Sequence, residues 1–436
     1  MKPQAEDFLS FVSQSPTAFH AVDLLRRRLV ESGCTELQEC MPWHLLPGHS
    51  YVVTRNQSSL IAFRIPADTF THFQLVSSHS DSPMLKLKPC AETGQGGVYL
   101  SLNTEVYGGP ILSTWFDRPL GIAGRVMVMD GDHLTTRLLD FQRDMVLIPS
   151  MPIHFNRDVN NGVALNPQVD LLPLIGESEE KGALLQETAA SLDCKAEDIL
   201  SSDLYVYNRT PGSIWGLSGQ YFSCPRIDNL ECAYASTLAF LEIPESRGHI
   251  DVLAVFDNEE VGSLTRQGAD STFLHDTLSG ILSALEVPEI RRRAILSSSF
   301  NVSADNAHAL HPNHPEKYDT GNRVLMNGGV VIKSNARQKY TTDAMSSGIF
   351  TEICRRAEVP FQFFANRSDI PGGSTLGNLS NRHVSMNSLD IGLAQLAMHS
   401  SYETAGVSDL SHAVRALTSF FRTDIRMRSD GSFTLA

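Results

Sequence analysis

Two rhythms of apolar residues run along this chain and change places twice. At the start, "AEDFLSFVSQS" and "TAFHAVDLLRRRLVESG" place apolar residues at helical spacing, which predicts two helices with Gly33 as the stop of the second. "HFQLVSSHSDSP" is instead a run of apolar and small residues, a strand that ends at His79 and is closed by Pro83. From about residue 86 the texture changes to short alternating stretches ("VYLSLNT", "GIAGRVMVM", "DMVLIP") broken by Gly, Pro and Asp, which predict antiparallel β structure. A polar helical interval over 178–200 then precedes the strand "DLYVYN".

Beyond about residue 218 helix and strand alternate again. "NLECAYASTLAFLEI" and "ADSTFLHDTLSGILSAL" read as helices around the strand "HIDVLAVF". "RAILSSSFNVSAD", "GGVVIK" and "VSMNSLDIG" read as strands, and "DLSHAVRALTSFFRT" as a closing helix. Such alternation implies an α/β sheet flanked by helices, in which ligands collect at the C-terminal ends of strands. The β-rich block, 86–217, therefore reads as an insertion into one discontinuous α/β domain formed by 1–85 and 218–436.

Bulk properties narrow the field. The 436 residues are enough for a large core, and 42% hydrophobic with 19% charged residues fits a globular protein. The sequence has no apolar run long enough to span a membrane. The first residues are interrupted by Glu6 and Asp7, so no secretory signal is expected. Seven cysteines (Cys34, Cys40, Cys90, Cys194, Cys224, Cys232 and Cys354) lack CxxC spacing, which fits free thiols in a reducing cytoplasm. With a net charge of −14 and only two short basic runs, "LLRRRL" and "IRRRA", nucleic acid is not an expected partner.

The chemistry lies in five places that share one grammar: the boundary of an apolar element followed by a metal-capable side chain. They are His79 and Asp81 in "VSSHSDSP", Asp228 in "CPRIDNLE", Glu259 and Glu260 in "FDNEEVGS", Asp305 in "NVSADNAHA", and His399 in "LAMHSSYETAG". Two histidines with several carboxylates and no cysteine suit zinc, cobalt or manganese rather than a structural thiolate site. Such a set holds two divalent ions bridged by one carboxylate and a water, roughly 3.5–4 Å apart. Two ions bring about +4 against about −3 from Asp228, Glu260 and Asp305, which leaves positive charge to stabilise a hydroxide. Glu259 would then be the general base, and Asp81 would orient the His79 ring. Taken singly, an adjacent pair of Glu residues after a strand is more often a solvated turn, and a lone His a structural one. "GGSTLG" lacks the spacing of a nucleophilic serine, and no Lys-Ser/Thr follows "GQGG" to make a phosphate loop.

In order along the chain, "HSDSP", "PRIDNL", "FDNEEVGS", "SADNAHA", "GVVIK", "RSDIPGGSTLG" and "AMHS" resemble the motifs of the aspartyl aminopeptidase family, which also contains vacuolar aminopeptidase I. The resemblance covers nearly the whole chain and includes "TWFDRPLGIAGRV" in the inserted block. It implies ligands His79, Asp228 (bridging), Glu260, Asp305 and His399 with Glu259 as base, a catalytic domain interrupted by a dimerisation domain, and a dodecamer. It also implies peptide substrates with N-terminal Asp or Glu, whose acidic side chain needs a local cation in so acidic a protein. Lys333, ending "GGVVIK", is the candidate, the other reading being a lysine snorkelling at a strand edge. His308 is placed near the site, and His154 in "MPIHFNRD" is either a residue that reaches a neighbouring subunit's site or an ordinary loop residue. The chain departs from the family pattern at Asn306, usually Met, and at Gly372, usually Cys. Two other readings remain open: a neutral-residue aminopeptidase on the same dinuclear site, and a non-catalytic assembly protein that binds metal structurally.

Overall fold

A computed structural model describes residues 2–95, 97–373 and 375–436. The strand Phe73–His79 is buried at every position and lies mid-sheet, parallel to Ile250–Phe256 on one side and Phe300–Ala304 on the other. A strand covered on both faces has no use for polar alternation, hence its unbroken run of apolar and small residues. Among the described residues the full sheet has nine strands. Its order is Thr35–Leu37, Ser50–Arg55, Ser59–Arg64, Ile250–Phe256, Phe73–His79, Phe300–Ala304, Asn387–Gly392, Val330–Ser334 and Phe361–Ala365. It is mixed: Ser59–Arg64 runs antiparallel to both neighbours, and Val330–Ser334 antiparallel to Asn387–Gly392.

Helices cover both faces. Lys2–Ser13, Ala18–Glu31, Ile227–Leu241, Ala344–Arg356 and Val407–Arg422 share one apolar core with the sheet. Phe273–Ala284 packs into a second core that contains Phe63, Phe73, Leu75 and Phe256. A separate six-stranded antiparallel sheet is built wholly from residues 84–208, around its own core of Leu102, Trp115, Ile122, Val126 and Val206. It is fastened to the larger sheet by Arg125, whose guanidinium donates to the Asn56 carbonyl at 2.6 Å and to Asp203 at 3.0 Å. Exposed apolar side chains gather on this part of the chain, among them Val98, Met151, Ile153, Phe155 and Val169. No helix among the described residues is long and apolar enough to cross a membrane.

Local structure departs from the sequence expectation in several stretches. "DMVLIP" makes only isolated bridges, Leu120 with Val146 and Leu147 with Leu174. "RAILS" belongs to the helix Glu289–Ser297, and the strand begins only at Phe300. Within 178–200 an α-helix covers just Ala183–Ser191. The helix Ala344–Arg356 was not expected, although Asp343 caps it by accepting from Ser346 N at 2.8 Å. The hairpin Ile425–Ser429 with Ser432–Leu435 was not expected either.

Gly124, in the strand Leu120–Asp130, faces Leu204 across the smaller sheet, and a Cβ there would lie 1.9 Å from the Asp203 carbonyl oxygen. Gly124→Ala must therefore push the strand Ile199–Asn208 away. Urea unfolding should show a loss of at least about 2 kcal/mol, with the larger sheet's core intact by near-UV spectra.

Candidate metal centre

Three parallel strands deliver the first donors. Phe73–His79 ends on His79, Ile250–Phe256 runs into Asp257, Asn258, Glu259 and Glu260, and Phe300–Ala304 runs into Asp305. His79 is buried, and its Nδ1–H donates to the main-chain carbonyl of Asp81 at 3.1 Å, so that Nε2 presents its lone pair. That Nε2 lies 3.5 Å from Asp228 Oδ1 and 3.5 Å from Asp305 Oδ1. The carboxylate of Asp81 also stands 3.4 Å from His79 Nδ1, but most of its bonding goes elsewhere. It accepts from Glu259 N at 3.1 Å, Glu260 N at 3.2 Å and the Tyr107 hydroxyl at 2.7 Å. Asp81 thus holds the turn that carries both glutamates, and the ring is held chiefly by its backbone.

Asp228 joins the two halves of the cluster. While Oδ1 faces His79, Oδ2 lies 3.5 Å from His399 Nε2, which is itself 3.4 Å from Glu260 Oε2. The His399 Nδ1–H donates to the Gly109 carbonyl at 3.0 Å, again leaving Nε2 free. Two overlapping donor groups result, His79–Asp228–Asp305 and Asp228–Glu260–His399, with Glu259 grouped beside His79 and Glu260.

Electrostatics follow from burial. Burial pushes the Glu259 carboxyl up to about 8 and Glu260 well above its usual range, each helped by neighbouring carboxylates. Burial alone would raise Asp228 too, but its contacts with His399 and His79 hold it below the ordinary value. Burial opposes a charge on His399, and the Asp228 and Glu260 carboxylates overcome it, raising the imidazole to about 10. The arrangement calls for positive charge between lone pairs that all point inward. The donor set fits divalent metal: the separations of 3.4–3.5 Å match the edges of a tetrahedron with bonds of about 2.0–2.1 Å. Asp228 Oδ1 and Glu260 Oε1 are, in addition, buried without a hydrogen-bond partner.

The substrate candidates are placed less uniformly. Lys333 is 2% exposed; its ammonium donates to the Asn306 carbonyl at 2.9 Å and lies 3.8 Å from Asp305 Oδ2. His308 is exposed three residues beyond Asp305, with its ring edge-on to Phe364. His154 sits in an exposed turn of the 84–208 region and makes no hydrogen bond or ion pair with the cluster among the described residues.

Several supporting residues carried no sequence signal. The Tyr107 hydroxyl bridges Asp81 and the Asn258 side chain, whose Nδ2 donates to it at 2.7 Å. Glu403 is buried and accepts from Asp228 N at 3.1 Å and His399 N at 2.7 Å, so one carboxylate fixes the backbones of two donors. Asn306 donates at 2.9 Å to the buried Glu231, which explains an amide at that position. At Gly372 a Cβ would meet Asn366 Oδ1 at 2.5 Å.

A family model described as aminopeptidase I zinc metalloprotease (M18) matches residues 11–421. The chain belongs to the M18 aminopeptidases. It is 42% identical over 427 residues to "Probable M18 family aminopeptidase 2" of Clostridium novyi, covering 96% of this chain and 98% of that one. Its identity to the protein of the same name in Pseudomonas aeruginosa is 39%, over 95% and 97% of the two chains. Among solved structures, a chain of the cryo-EM structure of the Ape4 and Nbr1 complex superposes with a TM-score of 0.93 at 35% identity, covering 96% of this chain and 85% of that one. Yeast aminopeptidase 1 superposes with a TM-score of 0.85 at 26% identity, covering 96% of each. As an M18 aminopeptidase the chain is a zinc-dependent hydrolase of peptide bonds, and the non-catalytic reading is set aside.

Beneath the site, burial pushes the Glu231 carboxyl up to about 8, and the Asn306 amide offsets this only in part. A raised folded-state value means stability is full below the unfolded value, near 4.5, and falls as pH rises through about 8. Glu231→Gln should remove that loss. Urea unfolding at pH 5 and pH 8.5 should show the variant gaining on the parent at the higher pH.

Proposed function

We propose that this M18 enzyme removes N-terminal Asp or Glu residues from peptides, on two divalent cations shared by His79, Asp228, Glu260, Asp305 and His399. The observation that carries the reading is the split use of Asp228, one oxygen toward His79 and Asp305 and the other toward His399 and Glu260. When bound, zinc (cobalt or manganese also suits these donors) lowers the pKa of a water and polarises the scissile carbonyl. Glu259 takes the proton from the attacking water and passes it to the leaving amine. Its high value without cations reflects burial among carboxylates, and added positive charge brings it back toward the range of a working base. Asp81 and Tyr107 hold Glu259 and Glu260 in place, with the 84–208 sheet as their support.

Acidic preference is assigned to Lys333, whose ammonium stands at the wall of the site, with His308 nearby. A neutral preference has one observation in its favour: the Lys333 ammonium is already engaged by Asp305 and the Asn306 carbonyl. We read 86–217 as a dimerisation domain inside a catalytic domain of 1–85 and 218–436. The exposed apolar residues around Phe155 would be covered by further copies, with His154 reaching a neighbour's site. Structures similar to this chain include the S. cerevisiae mApe1 dodecamer, and a dodecamer is the proposed assembly here. Seven cysteines without a disulfide fit a cytoplasmic setting.

Hydrolysis of Asp-, Glu-, Leu- and Lys-anilides should be lost on chelation and return with zinc, with Asp and Glu cleaved fastest. Leu outrunning both would transfer the assignment to the neutral reading. Glu259→Gln should retain metal and lose about 10²–10⁴-fold in kcat. Normal turnover by that variant would remove Glu259 from the mechanism.

A further inference from the structure

The same strands that end in the donor cluster begin in a second group of convergent side chains. His72 and His249 immediately precede Phe73–His79 and Ile250–Phe256, and the parallel register pairs Phe73 with Ile250. The two imidazoles lie side by side with ring centroids 5.3 Å apart, both deeply buried. Asp424 joins them from the link between the closing helix Val407–Arg422 and the strand Ile425–Ser429. This edge of the sheet is opposite the one that holds His79 and Glu259.

His249 and Asp424 are each anchored through one atom and leave another free, and His72 is held at both ring nitrogens. His249 Nε2–H faces the Phe421 carbonyl and Asp251 Oδ1, both at 3.0 Å, so Nδ1 carries a lone pair. A ring N–H held by a main-chain carbonyl, here that of Phe421 with the Asp251 carboxylate close by, is one of the arrangements that orient metal-binding histidines. The Thr71 hydroxyl lies 3.0 Å from His72 Nδ1, and Arg426 Nε donates to Asp424 Oδ2 at 2.6 Å. One ligand atom from each of His72, His249 and Asp424 lies within 4.8 Å of the other two. His249 Nδ1 and Asp424 Oδ1 are free, whereas His72 Nε2 donates its hydrogen to Gln74 Oε1 at 3.1 Å and presents a lone pair only when the ring proton moves to Nδ1, beside the Thr71 hydroxyl. Asp424 Oδ1 lies 3.8 Å from His72 Nε2 and 4.0 Å from His249 Nδ1. Neither His249 Nδ1 nor Asp424 Oδ1 has a hydrogen-bond partner, although both are buried. A further oxygen, Gln74 Oε1, is 3.1 Å from His72 Nε2 and is held in place by accepting from Ile425 N at 2.9 Å.

We propose that His72, His249 and Asp424, with the Gln74 carbonyl oxygen beside them, bind a divalent transition cation at a site separate from the catalytic donors. Two imidazoles with oxygen donors select zinc, cobalt or nickel over calcium or magnesium. A contraction of about half an ångström brings the donors to the separations of a tetrahedral site. Asp424 and Asp251 are balanced by Arg426 and Arg64, so the cation enters a locally neutral surrounding and binds more weakly than at the carboxylate-rich cluster. Access is through an open depression of about 900 Å³ that reaches Asp424 past Asp68, Gly248 and Ala436. The bound cation ties the C-terminal hairpin to the central sheet, so its effect is on stability and not on turnover.

The test is zinc alone, titrated into the desalted full-length chain at pH 8, with bound zinc counted per chain. The wild type should retain one equivalent more than Asp424→Asn, and zinc should raise its melting temperature further, while anilide turnover is the same in both. Equal zinc counts in the two proteins would overturn the proposal. Should Asp424→Asn fail to fold, anomalous diffraction at the zinc edge from wild-type crystals decides. A peak between His72, His249 and Asp424 supports the site. No peak there, with zinc bound elsewhere in the chain, overturns it and leaves a proton on His249 as the occupant.

Discussion

Concentrated negative charge at the C-terminal edge of the large sheet is the constraint on which the rest of the structure depends. Asp81, Asp228, Asp257 and Asp305 are all buried there, with Glu259 and Glu260 beside them. Burying like charges together is strongly unfavourable unless opposite charge is supplied. Among the described residues the supply is small: two imidazoles and the Lys333 ammonium at the donors, with Arg125 acting on Asp257. The deficit is what makes the cluster a receptor for divalent cations, and burial, with the neighbouring carboxylates adding to it, raises the values of Asp257, Glu259 and Glu260.

Holding such a cluster requires partners from distant parts of the chain. Glu403 ties the backbones of Asp228 and His399 with a single carboxylate. From the smaller sheet, Tyr107 reaches Asp81 and the Gly109 carbonyl fixes the His399 ring. The 84–208 sheet is therefore part of the site's scaffold, and its stability and the position of His399 are coupled. The parallel strands impose a further consequence, because every strand that ends at the donor cluster must begin at the opposite edge. There His72 and His249 meet Asp424 in a group with a lower charge density and a balanced set of arginines.

Much of this is legible in the sequence alone. Strands buried on both faces are written as unbroken apolar runs, so Phe73–His79 and Ile250–Phe256 were visible, as were the carboxylates and histidines that terminate them. Helices with a strong apolar stripe, such as Val407–Arg422, were equally plain. "RAILS" was misread because a short helix and a buried strand start with the same apolar residues, and only the sheet's edge determines where Phe300 begins to pair. "DMVLIP" has the composition of a strand, but its neighbours offer it only single bridges.

By itself the sequence determined which residues are chemically able to bind metal, the order in which they occur and the family to which the chain belongs, because side-chain type and local periodicity are properties of the chain. The tertiary structure alone decided that Asp228 divides its oxygens between two histidines and that Asp81 supports the glutamate turn more than the His79 ring. It also decided that Lys333 is engaged by Asp305, and that Glu403, Tyr107 and Gly109 belong to the site. Apart from the bond between His399 and Glu403, four positions apart, these are contacts between residues tens to hundreds of positions apart. No local spacing rule encodes them, because they exist only once the sheets have packed.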